Sequence, residues 1–249
     1  MSIVDAAGDL RAFTLLGVGF ALGLKHAFDA DHLVAISTIV SERKGAWRSS
    51  LVGAVWGAGH TLSLLLVGLL IIVLGVQLSS TFGLWMELTV AVMLMGLGAN
   101  VLWKIYRGAT FHFHVHHHDT KVHIHPHLHE AGVDHKNALP TAQHHSTRIG
   151  KKPFVVGIVH GLAGSATLML VVLTTVSSRA LAVLYIAVFG FGSVGGMVLM
   201  SALIGLPFAF TAKHERLNTI VRAAAGIVSV VFGLVLAWQV GVVQRLFVL

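Results

Sequence analysis

Six runs of apolar residues constrain this chain more than any other feature, at roughly 12–40, 51–76, 84–106, 153–176, 180–210 and 218–243. A hydrocarbon core about 30 Å thick takes about 20 residues of helix. Inside it every backbone polar group needs a partner within its own segment, which a helix supplies. The expected fold class is all-α: a polytopic membrane protein of about six transmembrane helices. The first run is long and has a polar centre, which suits a tilted helix or one partly unwound near Gly23. Pro207, near the end of the fifth run, is expected to kink or terminate it.

Charge supports this reading. Only 11% of residues are charged and the mean hydropathy is +0.83, against about 25% charged in an average soluble domain. The excess of Lys and Arg over Asp and Glu, 17 against 10, would suggest a nucleic-acid partner in a soluble protein. Here most of the cations sit in loops, so no nucleic acid is expected and lipid is the implied partner. Cysteine is absent, so disulfides, thiolate metal sites and thiol nucleophiles are excluded. Asp5 and Asp9 precede Arg11 without a small-residue cleavage site, so the N-terminus does not read as a signal peptide.

Residues 41–50 hold Arg43, Lys44 and Arg48, residues 107–152 hold six Lys or Arg, and residues 211–217 hold Lys213 and Arg216. The alternate loops and ends hold Arg11, Arg179 and Arg245. The positive-inside rule then makes the odd loops cytoplasmic and both termini external, in a bacterial or archaeal cell membrane. The third loop carries 12 of the 17 histidines within 35 residues, from Phe111 to His145. A tract of that kind forms no apolar core, and its composition fits labile binding of divalent metal or, alternatively, a solvated linker.

The chain also repeats itself. "GLKHAFDADHLVAI" at Gly23 aligns with "GIVHGLAGSATLML" at Gly157, pairing His26 with His160 and Asp31 with Ser165. "WGAGHT" at Trp56 aligns with "FGFGSV" at Phe189, and, more weakly, "GLGANVLW" at Gly96 aligns with "GLVLAW" at Gly233 across a two-residue gap. Units of three spans have an odd number of crossings, so the second lies inverted. The implied division is 1–106 as the first repeat, 107–152 as the His-rich cytoplasmic loop and 153–249 as the second repeat. Inverted repeats place a substrate site near the midplane at their interface.

The rare polar residues of the spans gather at those matched positions. At 100° per residue, His26, Asp29 and His32 fall within one arc of about 120°, while Asp31 projects from another face. Two imidazoles and a carboxylate suit a divalent first-row metal. Asp31 is expected to brace a neighbouring helix or fix a histidine tautomer, and Lys25 to pair with Asp29 when no metal is present. Buried carboxylates cost about 2.5–3.5 kcal/mol each at a span's centre, which marks them as functional. His60, in "GAGHTLS", and His160 and Ser165, in "VHGLAGSAT", are further candidates. Asn100 reads as a ligand or a helix cross-link, and Glu87 as a solvated interface residue.

"KHAFDADHLVAI" resembles the signature of the nickel/cobalt permeases, with Lys25 where the family has Arg and Leu33 where it has Ile. "GAGHT" resembles that family's Gly-His-Ser/Thr motif. The length and "HGLAGSA" look most like the shorter, urease-associated nickel permeases and the wider group that includes exporters with His-rich loops. The resemblance implies that His26, Asp29, Asp31, His32 and His60 select and pass the metal. It implies a secondary transporter of Ni²⁺ or Co²⁺ with no cofactor, rocking one repeat against the other, with import favoured and efflux the alternative. The His-rich loop would then buffer metal or hand it to a cytosolic acceptor. The rival classes are an intramembrane metalloenzyme, which lacks an H-E-x-x-H motif, and a metal sensor; a nucleotide-driven pump lacks its P-loop.

Overall fold

The computed structural model describes residues 3–43, 45–75, 79–108, 111–118, 121–128, 150–176, 178–244 and 246; for 3–9, 111–118, 121–128 and 165–175 it describes backbone alone. The described residues form α1 (Ile3–His26), α2 (Ala30–Val40), α3 (Ala46–Leu74), α4 (Ser80–Tyr106), α5 (Lys152–Thr175), α6 (Arg179–Thr211) and α7 (Glu215–Trp238), which a short π-helical turn extends over Gln239–Val243. Of the described helices, four are long and apolar enough to cross a membrane: α3, α4, α6, and α7 with its π-helical extension. The backbone of Phe111–His118 (β1) pairs antiparallel with Lys121–Leu128 (β2), Phe111 facing Leu128. This departs from a purely helical chain; the remainder of the His-rich tract, 119–120 and 129–149, lies outside the described residues.

The first apolar run is not one helix. α1 stops at His26, where Phe28 N–H and Asp29 N–H bond back to the Lys25 and His26 carbonyls at 2.9 and 3.1 Å. Asp29 is extended (φ −62°, ψ 146°) and its carbonyl accepts the first bond of α2, from Leu33 at 3.0 Å. The interruption therefore covers residues 27–29, a turn beyond Gly23, and it invalidates the single-helix arc for His26, Asp29 and His32. Eleven residues of α2 rise only about 16 Å, half a hydrocarbon core. Pro207 does not terminate the fifth run either. α6 continues to Thr211, whose hydroxyl donates to the Pro207 carbonyl at 2.8 Å.

α3 packs on α6 and α5, α6 on α1, and α4 on α7. These approaches are made at glycines. A Cβ on Gly23 would collide with the Phe189 carbonyl and one on Gly157 with the Trp56 carbonyl; Gly59 opposes the Phe154 carbonyl and Gly192 that of Phe20. Between α4 and α7, Gly98 opposes the Gly226 carbonyl, Gly233 opposes that of Ala91, and Ser229 Oγ donates to the Leu94 carbonyl at 2.8 Å. The Ser193 hydroxyl donates to the Gly23 carbonyl at 3.2 Å and that of Thr61 to Gly190 at 3.1 Å. Backbones meet without side chains between them, as close-packed membrane helices require.

Gly157→Val is accordingly expected to force α5 off α3 and destabilise the fold by about 1–3 kcal/mol or more, the usual cost of overpacking. Gly195→Val, where an added Cβ meets nothing within 4 Å, is the control. Thermal melts of the two variants in detergent check the contrast.

Large apolar side chains face outward along the helices, among them Leu66, Phe191, Phe210, Ile220 and Val231, with Trp47, Trp103, Tyr106 and Trp238 also exposed. An outer apolar surface with Trp and Tyr among it is that of a chain solvated by lipid. Two apolar clusters fill the interior: Ile36, Val52, Trp56, Leu97 and Met197 belong to one, and Leu64, Tyr185, Ile186 and Phe189 to the other. The polar site lies between them.

Candidate metal centre

Four imidazoles converge from four helices. His26 is the last residue of α1, His32 lies in the first turn of α2, His60 is in the middle of α3 and His160 is in α5. The rings of His26 and His32 are 4.6 Å apart, His60 is 5.2 Å from each, and His160 stacks on His32 at 4.4 Å. His32, His60 and His160 are buried at 2%, 0% and 1% exposure. The break after His26 makes this convergence possible, because it lets α1 and α2 present one histidine each from abutting helix ends.

The carboxylates determine which ring nitrogens are available. Asp31 Oδ1 accepts from the His32 backbone N–H at 2.9 Å and from its ring Nδ1 at 3.0 Å, while Oδ2 accepts from His160 Nε2 at 3.2 Å. Asp29 Oδ2 accepts from His26 Nδ1 at 2.7 Å. An ionised carboxylate only accepts, so each bonded ring nitrogen carries hydrogen and the other nitrogen of a neutral ring keeps its lone pair. Those second nitrogens include His32 Nε2 and His160 Nδ1, both buried without a partner among the described residues, as are both nitrogens of His60. A carboxylate behind each ligating imidazole is the usual support of a histidine metal site. Asp31 also sits in the first turn of α2, where the helix dipole favours negative charge.

Two donor groups share His32. One ring nitrogen each from His26, His32 and His60 lie within 4.8 Å of one another, as do donor atoms of Asp31, His32 and His160. Two opposed imidazole bonds to a first-row ion span about 4.2 Å, so either group is near coordinating size and would contract onto an ion. Aromatic rings bracket the cluster. Trp56 lies 5.2 Å from His32 and 5.7 Å from His160, and Phe189 lies 5.6 Å from His26.

A cavity of about 560 Å³ reaches His26, Asp29 and Asp31 past Lys25, Glu87, Leu64, Tyr185, Phe189 and Phe232. α3 and α6 run antiparallel, with Gly57 against Val194 and Thr61 against Gly190. Glu87 and Tyr185 come early in α4 and α6, Leu64 and Phe232 late in α3 and α7. The cavity thus opens toward the end where α3 joins α4 and α5 joins α6. On the opposite side Trp56, Val52 and Met197 are buried at 1%, 0% and 0% and close the bundle.

Of the residues singled out from sequence, His26, Asp29, Asp31, His32, His60 and His160 are brought together. The side chain of Ser165 lies outside the described residues, and Asn100 stands ten residues beyond the cavity-lining Val90 in α4, away from the cavity wall. Asp29 takes His26 as its partner rather than Lys25. Glu87, read as an interface residue, lines the cavity. In the sequence Trp56 and Phe189 stand out only as repeat landmarks, and their places one turn before His60 and Ser193 are the signal that links them to the site.

The family model described as High-affinity nickel-transport protein, NicO, matches residues 12–244. The chain is 36% identical over 234 residues to "Urease accessory protein UreH" of Bacillus sp. (strain TB-90), covering 94% of this chain and 95% of that one. It is 26% identical over 227 residues to "Chloroplast protein FOR GROWTH AND FERTILITY 2" of Arabidopsis thaliana, covering 90% of this chain and 56% of that one. No solved structure matches.

Proposed function

We propose that this chain, which belongs to the NicO family of high-affinity nickel-transport proteins, takes Ni²⁺ up through the histidine cluster by alternating access. It is a membrane transporter and not an enzyme; nickel is its substrate, cobalt the other ion of the class, and no cofactor is required. The observation that carries the site is the set of buried imidazole nitrogens without partners, backed by Asp29 and Asp31. Unpartnered polar atoms in a membrane interior cost stability, and an arriving metal ion that takes their lone pairs removes that cost.

Six crossings fit the lengths, with α1 and α2 together making the first and α5 the fourth. The glycine contacts support the inverted repeat. Gly23 on Phe189 and Gly157 on Trp56 are one contact seen twice with the repeats exchanged, as are Gly192 on Phe20 and Gly59 on Phe154. For the third pair, Gly98 on Gly226 exchanges with Gly233 on Ala91, which aligns Gly98, rather than Gly96, with Gly233. Residues 1–106 and 153–249 are then the repeats and 107–152 the connecting loop, whose histidines would pass metal to a cytosolic acceptor. With the Lys- and Arg-rich loops on the cytoplasmic face, both termini and the cavity face outward in a cell membrane, the state from which an importer loads its ion.

Neutral imidazoles bind metal and protonated ones do not, so flux is expected to fall once the pH is low enough to protonate the cluster; initial Ni²⁺ rates in proteoliposomes at fixed potential check this. Asp29→Asn should weaken Ni²⁺ binding by about 10-fold, at the mild end for such a support, because Asp29 is half exposed and serves one ring. Calorimetric titration reads that shift. Uptake is tested by ⁶³Ni accumulation in expressing cells: a rise supports import, and a fall below the control level supports efflux instead.

A further inference from the structure

We infer that Glu87 and Arg222 are one position of the pathway used twice, an acid where the ion enters and a base where it leaves. This rests on the inverted-repeat reading above. The α4–α7 contacts fix the register: Gly98 exchanges with Gly233, Ala91 with Gly226, and the Ser229–Leu94 hydrogen bond joins two residues that exchange with each other. Eleven residues before Gly98 stands Glu87, and eleven before Gly233 stands Arg222.

Their surroundings differ as the present conformation requires. Glu87 is half-buried on the wall of the open cavity that reaches Asp31. Arg222 is 4% exposed, on the closed side, within the field of Glu42. The same exchange carries other walls of the open cavity onto closed ones: Phe189 onto Trp56, Leu64 onto Met197 and Val90 onto Ala225. When the bundle opens the other way, the new cavity is lined by Trp56, Met197 and Ala225, and it presents Arg222 where the present one presents Glu87.

A carboxylate at a cavity wall raises the local concentration of a dication, and a guanidinium lowers it. The pair therefore sets unequal affinities on the two faces without altering the final equilibrium, which is fixed by the gradient. Glu87 favours capture at low external Ni²⁺, and Arg222 favours release and opposes rebinding. These charges tune affinity at the mouths and are not ligands.

Sided proteoliposomes of the full chain test this with Ni²⁺ alone. Glu87→Gln should raise the external Ni²⁺ giving half-maximal influx about fivefold and leave inhibition by internal Ni²⁺ unchanged. Arg222→Gln should lower the internal Ni²⁺ that half-inhibits influx about fivefold, leave the external value unchanged, and be restored by Arg222→Lys. Equal shifts on both faces, or none in a variant that melts like the parent, overturn the inference. The chain has no cysteine, so Ala225→Cys in an otherwise unaltered protein reports the second cavity separately. Thiol labelling from the Lys- and Arg-rich face during turnover is expected. Its absence overturns the repeat reading itself and the inference with it, including where Arg222→Gln does not fold; labelling without a sided effect of Glu87→Gln overturns the charge inference alone.

Discussion

Replacing His60 by leucine is expected to abolish nickel flux while leaving the metal-free protein as stable as the parent, or more so. His60 is fully buried and neither ring nitrogen has a partner among the described residues. Leaving a buried polar group unsatisfied costs about 1–3 kcal/mol, and leucine fills a similar volume without that cost. The parent should recover it on binding metal, because a ligand at 100 times its dissociation constant adds about 2.7 kcal/mol to stability. Melting curves with and without Ni²⁺ should therefore show a large upward shift for the parent and a much smaller one for His60→Leu, which keeps only the Asp31, His32 and His160 group. A His60→Leu protein that melts far lower without metal would instead make His60 a packing residue.

The second large effect is expected at Asp31. Its two oxygens hold His32 through backbone and ring and His160 through its ring, so one carboxylate orients histidines from α2 and α5. In Asp31→Asn one acceptor becomes an NH₂ donor facing a ring N–H, and at least one imidazole must flip its tautomer or turn away. Loss of such a support typically costs 10–100-fold in metal affinity, and since both histidines are affected the upper end, about 100-fold, is expected. Ni²⁺ titration and initial flux measured on the same preparation check it. Asp31→Glu, which keeps the charge, should recover part of the loss.

The candidate site was more legible in the sequence than the path to it. Ionisable residues in apolar runs are costly enough to stand out, so His26, Asp29, Asp31, His32, His60 and His160 could be named from composition of the spans. Their geometry could not. Helical angles assume an unbroken helix, and the turn after His26 resets the phase, so Asp31 points among the histidines while Asp29 serves His26 from the side. A signal was present: Asp before Ala-Asp-His is a favoured helix start, and Asp29 occupies that place in α2.

On the proposed repeat reading, the match is clear where the paired residues are unusual, as with His26 and His160, and slips where they are not. In α4 and α7 several glycines compete for the alignment, and only the contact of Gly98 with the Gly226 carbonyl separates them. For Glu87 the limit is similar. Its distance from a span's end does not say whether the helix face it occupies meets lipid or a cavity, since that depends on which helices pack beside it.

Alternating access around the histidines is tested most directly by counterflow. Proteoliposomes are loaded with unlabelled Ni²⁺, diluted into trace ⁶³Ni, and followed for tracer entry. A carrier with one site exposed to each side in turn predicts transient accumulation of tracer above its equilibrium level in the parent, and none in His60→Leu. Tracer that rises to equilibrium without overshoot in the parent, or overshoots equally in His60→Leu, would contradict it.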